Sequence, residues 1–196
     1  MTAADVVAVR TTAGPGGEEA TGFRVGGAIL TVAHALPPDA RPGRATVGRV
    51  GSPGLPARLA ARDDVADLAV LGTSGIRASR GLATDWVRAP SRPAADGDGG
   101  GWRVLLRRDG RVVDRAVTLR QRITARVDAP GSGTGGRRPA LALAVSAAPG
   151  DSGAPVVDGR GRLVGVLFGV SERQRGTAYA VTARPVVTLL AAARGG

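Results

Sequence analysis

Short apolar runs separated by turn residues recur along the chain at the spacing that antiparallel strands need. They cover residues 6–10, 22–33, 45–50, 55–61 and 67–71, and later residues 102–108, 111–119 and 123–127. Asp109-Gly110 lies between two of these runs and predicts a hairpin turn. Near the end, residues 183–194 predict a closing helix. The pattern therefore favours a β-barrel or sandwich over alternating strands and helices.

A break in composition separates the two halves of the chain. Residues 91–101 contain mainly Gly, Ala, Asp and Pro, which predicts a mobile interdomain linker or long loop. We therefore expect an N-terminal unit at residues 1–90 and a C-terminal unit at residues 102–196. A second glycine-rich stretch, residues 130–139, predicts another flexible loop.

The stretch Gly150-Asp151-Ser152-Gly153 has the composition of a tight turn that carries a nucleophile. Glycines on both sides allow the backbone to bend, so that the Ser152 hydroxyl stands clear of its own chain. The N–H groups of Gly150 and Ser152 can then point into one concavity and form an oxyanion hole. Gly, Asp and Ser are also common in hairpin loops, so the stretch taken alone also fits a turn with an incidental serine.

A serine hydroxyl needs a base to act as a nucleophile, and histidine is the usual one. His34 is the single histidine of the chain and follows an apolar run, where it fits either that base or a structural cap. Asp67 opens another apolar run, in which a carboxylate is costly to bury without a partner. Asp67 is therefore the candidate to orient His34, while Asp63 and Asp64 compete for this role from a polar turn.

Three blocks of sequence resemble the signature blocks of the trypsin/chymotrypsin-like serine proteases. They are TVAH at residues 31–34, DLAVL at 67–71 and GDSGAP at 150–155, in that family's order of His, Asp and Ser. The second block is most similar to the bacterial branch, which includes the Deg/HtrA-like proteases. Residues 164–183 also resemble the protease domains of actinobacterial envelope proteins.

The resemblance implies an all-β fold of two packed six-stranded antiparallel β-barrels with a short C-terminal helix. It also implies a serine endopeptidase that hydrolyses peptide bonds through a triad of His34, Asp67 and Ser152 and an acyl-enzyme intermediate. The amides of Gly150 and Ser152 would form the oxyanion hole. The alternative is a catalytically closed module of the same fold that binds or regulates.

The same resemblance identifies candidate substrate-binding positions. It assigns Ser146 to the base of the specificity pocket, Phe168 to a position where the family usually has a serine, and Val170 to one where many members keep glycine. Phe168 fits a core aromatic as well as a pocket wall, and with Val170 it supports the closed alternative. Because no acidic residue stands at the pocket base, we expect cleavage after small or medium apolar residues. Many animal members pair the aspartate before the serine with a freed N-terminus, and we expect Asp151 to have another partner.

The amino-acid composition limits the kinds of partner that we expect. A formal net charge of +11 is typical of nucleic-acid-binding proteins. However, the basic residues are all arginine and are scattered, a pattern that a GC-rich coding bias produces. We therefore expect a protein or peptide substrate and no nucleic acid. The chain has no cysteine, hence no disulfide, and the implied chemistry needs no metal or organic cofactor.

The N-terminal residues lack the basic and apolar regions of a signal peptide, and no stretch is long and apolar enough to span a membrane. The chain as written predicts a cytoplasmic protein, and a truncated start would allow a secreted or envelope location. Oligomeric state and physiological substrate do not follow from the sequence.

Overall fold

The computed structural model describes residues 1–11, 18–37, 44–73, 101–127 and 136–193, which form two closed antiparallel barrels and one helix. The first barrel contains β1 (Val6–Thr11), β2 (Glu18–Val25), β3 (Ala28–Thr31), β4 (Ala45–Arg49), β5 (Leu55–Asp63) and β6 (Leu68–Gly72). Its strands follow the order β1-β2-β3-β6-β5-β4, and the pairing of β1 with β4 closes it. A 3-10 turn at Ala3–Asp5 precedes β1.

The second barrel repeats this arrangement. It contains β7 (Trp102–Arg108), β8 (Arg111–Val127), β9 (Gly136–Ala144), β10 (Pro155–Val157), β11 (Leu163–Val170) and β12 (Thr177–Thr182). Its strands follow the order β10-β11-β12-β9-β8-β7, and β7 closes the barrel on β10. The helix α1 (Arg184–Ala192) comes last. These two barrels and the short helix confirm the predicted fold class.

Tight turns set the register of two hairpins. Gly26 adopts a φ of 60° in the two-residue turn between β2 and β3, which pairs Val25 with Ala28. Asp109 and Gly110 both adopt positive φ, 48° and 73°, as the mirror-image hairpin turns require. The hairpin of β2 and β3 directs the chain towards His34, and the Asp109-Gly110 hairpin connects β7 with β8.

Aliphatic side chains fill both barrels, since the chain has only 3% aromatic residues. The core of the first barrel is centred on Phe23, Ile29 and Leu30. Side chains of the second barrel and of α1, including Leu163 and Leu189, belong to this same continuous core. A smaller second core lies inside the second barrel. The two barrels are therefore packed through apolar contact, and elements from both meet at their junction.

Several details differ from the sequence prediction. The predicted loop at residues 130–139 is wrong for its last part, because β9 begins at Gly136. The runs at 111–119 and 123–127 form one strand, which pairs with β7 through its first part and with β9 through the rest. Residues 91–100 of the predicted linker lie outside the described residues. Within the described ranges, no helix is both long and apolar enough to cross a bilayer.

Candidate active site

His34 lies just beyond the end of β3, on the turn that follows the strand. The N–H of Leu36 donates to the carbonyl of Ala33 at 3.0 Å and closes this turn around the histidine. The side chain of His34 is 49% exposed. The buried strand thus fixes the backbone of His34, while its imidazole remains accessible from solvent.

Asp67 is the last residue of the turn between β5 and β6, and it has a φ of 56°. Aspartate tolerates this left-handed conformation better than most residues do, although it still costs free energy. Three hydrogen bonds to the turn after β3 hold it there. The carbonyl of Asp67 accepts from Ala33 N–H at 3.2 Å, and its carboxylate accepts from His34 N–H and from the imidazole Nδ1, both at 2.8 Å.

The contact at Nδ1 fixes the tautomer of the imidazole. An ionised carboxylate only accepts hydrogen bonds, so Nδ1 must carry the proton and the lone pair of neutral His34 lies on Nε2. The two neighbouring carboxylates have other partners. Asp63 accepts from the N–H of Ala66 at 2.8 Å within the turn, and Asp64 pairs with Arg62 at the surface. Of the three aspartates considered, Asp67 is the one bonded to His34.

Ser152 lies on a tight turn between β9 and β10. Gly150 and Gly153 adopt φ values of 90° and 92°, which favour glycine on both sides of the serine. The N–H groups of Asp151, Gly153 and Ala154 donate to backbone carbonyls. The N–H groups of Gly150 and Ser152 have no acceptor among the described residues. Two amides of this turn are therefore left to bind an external oxygen.

The first barrel holds this turn from the opposite side. Thr21 on β2 donates its N–H to the carbonyl of Ser152 at 2.8 Å and its hydroxyl to the carbonyl of Gly150 at 2.7 Å. The hydroxyl of Thr31, three residues before His34, donates to the carbonyl of Thr21 at 2.8 Å. The approach is so close that a Cβ on Gly153 would lie 1.8 Å from the carbonyl oxygen of Thr21. The serine turn is thus fixed against the strands that lead to His34.

Asp151 is buried beneath this turn, with 1% of its surface exposed. One carboxylate oxygen accepts from the N–H of Ala148 at 2.7 Å, and the other forms an ion pair with the guanidinium of Arg108 at the end of β7. The hydrogen bond and charge of Asp151 raise the pKa of Arg108. The sequence predicted that Asp151 has a partner other than a freed N-terminus, and the structure shows that this partner is Arg108.

A second arginine reaches the aspartate at the barrel junction. Arg138 on β9 lies with Nη1 3.5 Å from Oδ2 of Asp67, and its side chain is 9% exposed. Its guanidinium lies 3.9 Å from the ring centroid of Phe168, which in turn stacks on Tyr179. Burial lowers the pKa of Arg138, against the attraction of Asp67 and of Asp63.

The structure describes the remaining predicted positions as follows. Phe168 is partly buried against the first core, under Arg138. Val170 lies at the end of β11 and is 52% exposed. Ser146 is exposed in the segment after β9, close to Gly176 at the start of β12. None of the described residues forms a hydrogen bond with Ser152 Oγ. A hydrogen bond between a serine nucleophile and its histidine base often forms only when substrate is bound.

A polar cavity of about 360 Å³ opens beside Gly150. Charged side chains of both barrels line it, with Glu19 from the first and Arg107 and Arg108 from the second. Glu19 pairs with Arg107 at 2.6 Å, so the charges across the cavity are partly neutralised. A polar group that enters the cavity beside Gly150 therefore meets paired charges rather than an isolated one.

Comparisons with known proteins identify the family and the fold. Residues 20–166 match the sequence profile of the trypsin-like peptidase domain. The active form of the Rv3671c protease from M. tuberculosis superposes with a TM-score of 0.76 at 25% identity, covering 97% of this chain and 81% of that one. The MamO protease domain from Magnetospirillum magneticum superposes with a TM-score of 0.68 at 20% identity, over 95% of each chain.

A serine protease of human pathogenic astrovirus has a TM-score of 0.61 at 20% identity, covering 95% of this chain and 93% of that one. At this identity the likeness to the astrovirus and MamO structures shows the fold alone. A search of curated protein sequences finds no match.

Proposed function

The chain belongs to the family of trypsin-like peptidase domains, and from this premise we propose that it is a serine endopeptidase acting through His34, Asp67 and Ser152. The observation that carries the proposal is the pair of hydrogen bonds that His34 donates to the Asp67 carboxylate, one from its backbone N–H and one from Nδ1. It holds the imidazole in the tautomer whose Nε2 can take a proton from a serine hydroxyl.

In the proposed reaction, Ser152 Oγ attacks the carbonyl carbon of a peptide bond and His34 Nε2 takes the hydroxyl proton. The tetrahedral intermediate collapses when the protonated His34 gives this proton to the leaving amine, which breaks the carbon–nitrogen bond. Water then attacks the acyl-enzyme by the same relay, releases the acid and restores the serine hydroxyl. Asp67 stabilises the imidazolium that forms in each half-reaction.

The unpaired amides of Gly150 and Ser152 support the proposal independently. They are donors held in place before reaction, so they stabilise a developing oxyanion without reorganisation. Removal of one such donor typically lowers kcat by about 10²–10³-fold. The hydrogen bonds of Thr21 to this turn explain how the donors stay oriented.

For the substrate we propose a protein or peptide with a small or medium apolar residue before the cleaved bond. Ser146 and its neighbours Ala147 and Ala148 are small and uncharged, so they offer no partner for an arginine or lysine side chain. Val170 is exposed at the end of β11. It stands where many members of the family keep glycine, so we expect its larger side chain to favour small substrate residues.

The direct test is labelling with a fluorophosphonate probe, which reacts with an activated serine irrespective of peptide preference. We expect the wild-type protein to carry one adduct, mapped to Ser152 by mass spectrometry. Ser152→Ala should abolish labelling, and His34→Ala should slow it by at least about 10²-fold, the usual contribution of a general base. Ser52→Ala, which changes an exposed serine in the turn after β4, is the matched control and should label like the wild type.

Absence of labelling in a folded wild-type protein would contradict the proposal. Circular dichroism and a cooperative unfolding transition establish folding in the same samples. This outcome would favour the closed binding or regulatory module. Labelling at another serine, or labelling that does not require His34, would also overturn the assignment of the site.

A further inference from the structure

Arg138 is a buried cation that the proposed reaction does not use. It is contributed by β9 of the second barrel, yet its nearest charged group is Asp67 of the first. Its Nε and Nη1 atoms are buried without a hydrogen-bond partner among the described residues. A guanidinium is retained in such a place only when other interactions offset the loss of water.

Two interactions supply that offset. Nη1 lies 3.5 Å from Asp67 Oδ2, an ion pair rather than a hydrogen bond, and the guanidinium lies over the Phe168 ring, 3.9 Å from its centroid. Tyr179 stacks on Phe168, with ring centroids 6.2 Å apart. Phe168 therefore stabilises the cation in its position, and this explains an aromatic residue beneath Arg138.

The cation and the imidazole share one oxygen. Asp67 Oδ2 accepts from His34 Nδ1 at 2.8 Å and faces Arg138 at 3.5 Å, so the two groups lie within about 6 Å of each other. A fixed positive charge at this distance disfavours a second positive charge on the imidazole. It also restrains the carboxylate oxygen that accepts from His34.

We propose that Arg138 is a positioning residue for Asp67 whose fixed charge sets the pH range over which His34 stays unprotonated. The catalytic importance of this inference rests on the proposed function, but the electrostatic relation between Arg138 and His34 does not.

Other charged groups around the pair remain the same when Arg138 is changed. They are Arg62, Asp63 and Asp64, on β5 and the turn after it. Arg62 pairs with Asp64 and also donates to the carbonyl of Leu36 at 3.1 Å. Tyr179, which stacks on Phe168, also remains the same.

The test uses the fact that His34 is the single histidine, so its imidazole protons give one set of NMR signals without assignment by mutation. We would follow their chemical shift against pH in the full chain for the wild type, Arg138→Gln and Arg138→Lys. Arg137→Gln is the matched control, because this neighbour on β9 is exposed and loses the same charge.

We expect the titration midpoint in Arg138→Gln to lie about one pH unit above that of the wild type. Arg137→Gln and the charge-retaining Arg138→Lys should remain within a few tenths of the wild type. The acid side of the pH profile of the fluorophosphonate labelling rate should move by the same amount, because it reports the protonation of the base in the free enzyme.

An unchanged or lower midpoint in folded Arg138→Gln would overturn the inference. If that variant does not fold, a midpoint in Arg138→Lys that lies a full unit above the wild type would overturn it instead. The NMR titration does not require activity. A protein that the probe fails to label can therefore still confirm the inference about Arg138 while refuting the proposed function.

Discussion

The ion pair between Arg108 and Asp151 leads to a prediction about both stability and activity. Asp151 closes the turn from Ala148 to Ser152, because its carboxylate accepts from Ala148 N–H and its own N–H donates back to the Ala148 carbonyl. Arg108 neutralises that carboxylate. Arg108→Ala leaves the buried Asp151 carboxylate without its cation beneath the turn of Gly150. The carboxylate must then become protonated or turn towards water.

The magnitude follows from the exposure of the two partners. Pairs exposed on both sides contribute under about 1 kcal/mol, whereas removing one partner of a buried pair costs about 3–5 kcal/mol. The side chain of Arg108 is 33% exposed and that of Asp151 is 2% exposed. Because the group left behind is the buried one, we expect Arg108→Ala to lower the free energy of unfolding by about 3 kcal/mol.

Either response of Asp151 also loosens the turn that carries the two unpaired amides. Loss of one aligned donor costs about 10²–10³-fold in kcat. We therefore expect the second-order rate constant of fluorophosphonate labelling to fall about 10²-fold. The rate is measured without denaturant, where the variant remains folded. Arg108→Lys should recover part of both losses, since it restores the charge without the planar donor fork.

Arg103→Ala is the matched control for this experiment. It lies on the same strand β7 and pairs with Asp114, but both side chains are about 40% exposed. We expect a loss under about 1 kcal/mol and an unchanged labelling rate. Urea unfolding gives the free energies. The reasoning is refuted if Arg108→Ala unfolds and labels like Arg103→Ala.

Two further predictions concern backbone geometry and pH. Gly153→Ala should lower the free energy of unfolding by more than about 3 kcal/mol, because a Cβ would meet the Thr21 carbonyl and φ is positive. Gly169→Ala, whose Cβ would meet nothing within 4 Å, should change it by under about 1 kcal/mol, and equal effects in urea unfolding would contradict this account. Burial alone would raise the pKa of Asp158, but hydrogen bonds from Arg162 and its charge lower it. The folded pKa is then below the unfolded one, so stability from Asp158 is present above the unfolded pKa and lost as pH falls through the folded pKa. The free-energy gap between the wild type and Asp158→Asn should therefore be smaller at pH 3 than at pH 7, whereas a constant gap would refute the linkage.

Local signals in the sequence were sufficient for much of the fold. Asp109-Gly110 specified its hairpin because few residue pairs adopt two positive φ values. The apolar run before His34 and the one after Asp67 predicted β3 and β6, since both strands are buried on both faces. The turn of Gly150 to Gly153 was predicted from its glycines, both of which have positive φ.

The arginine partners could not be predicted in the same way. Arg108 follows an apolar strand and precedes a turn, where a charged side chain is ordinarily solvated. Arg138 belonged to a glycine-rich stretch that predicted a loop, and its strand became recognisable only through pairing with β8. A buried carboxylate indicates that some cation must approach, but among scattered arginines only the tertiary packing selects which one.

The contacts of Thr21 and Arg138 across the barrel junction have a consequence for the chain before it has folded. A peptidase is a danger to its own nascent copies, which offer extended, cleavable backbone. Here the turn that carries Ser152 accepts hydrogen bonds from β2, and the aspartate bonded to His34 faces a cation from β9. If the chain is the proposed peptidase, neither half carries a complete site until the two barrels have packed together. Reactivity would thus arise only at the final step of assembly, when few vulnerable segments remain.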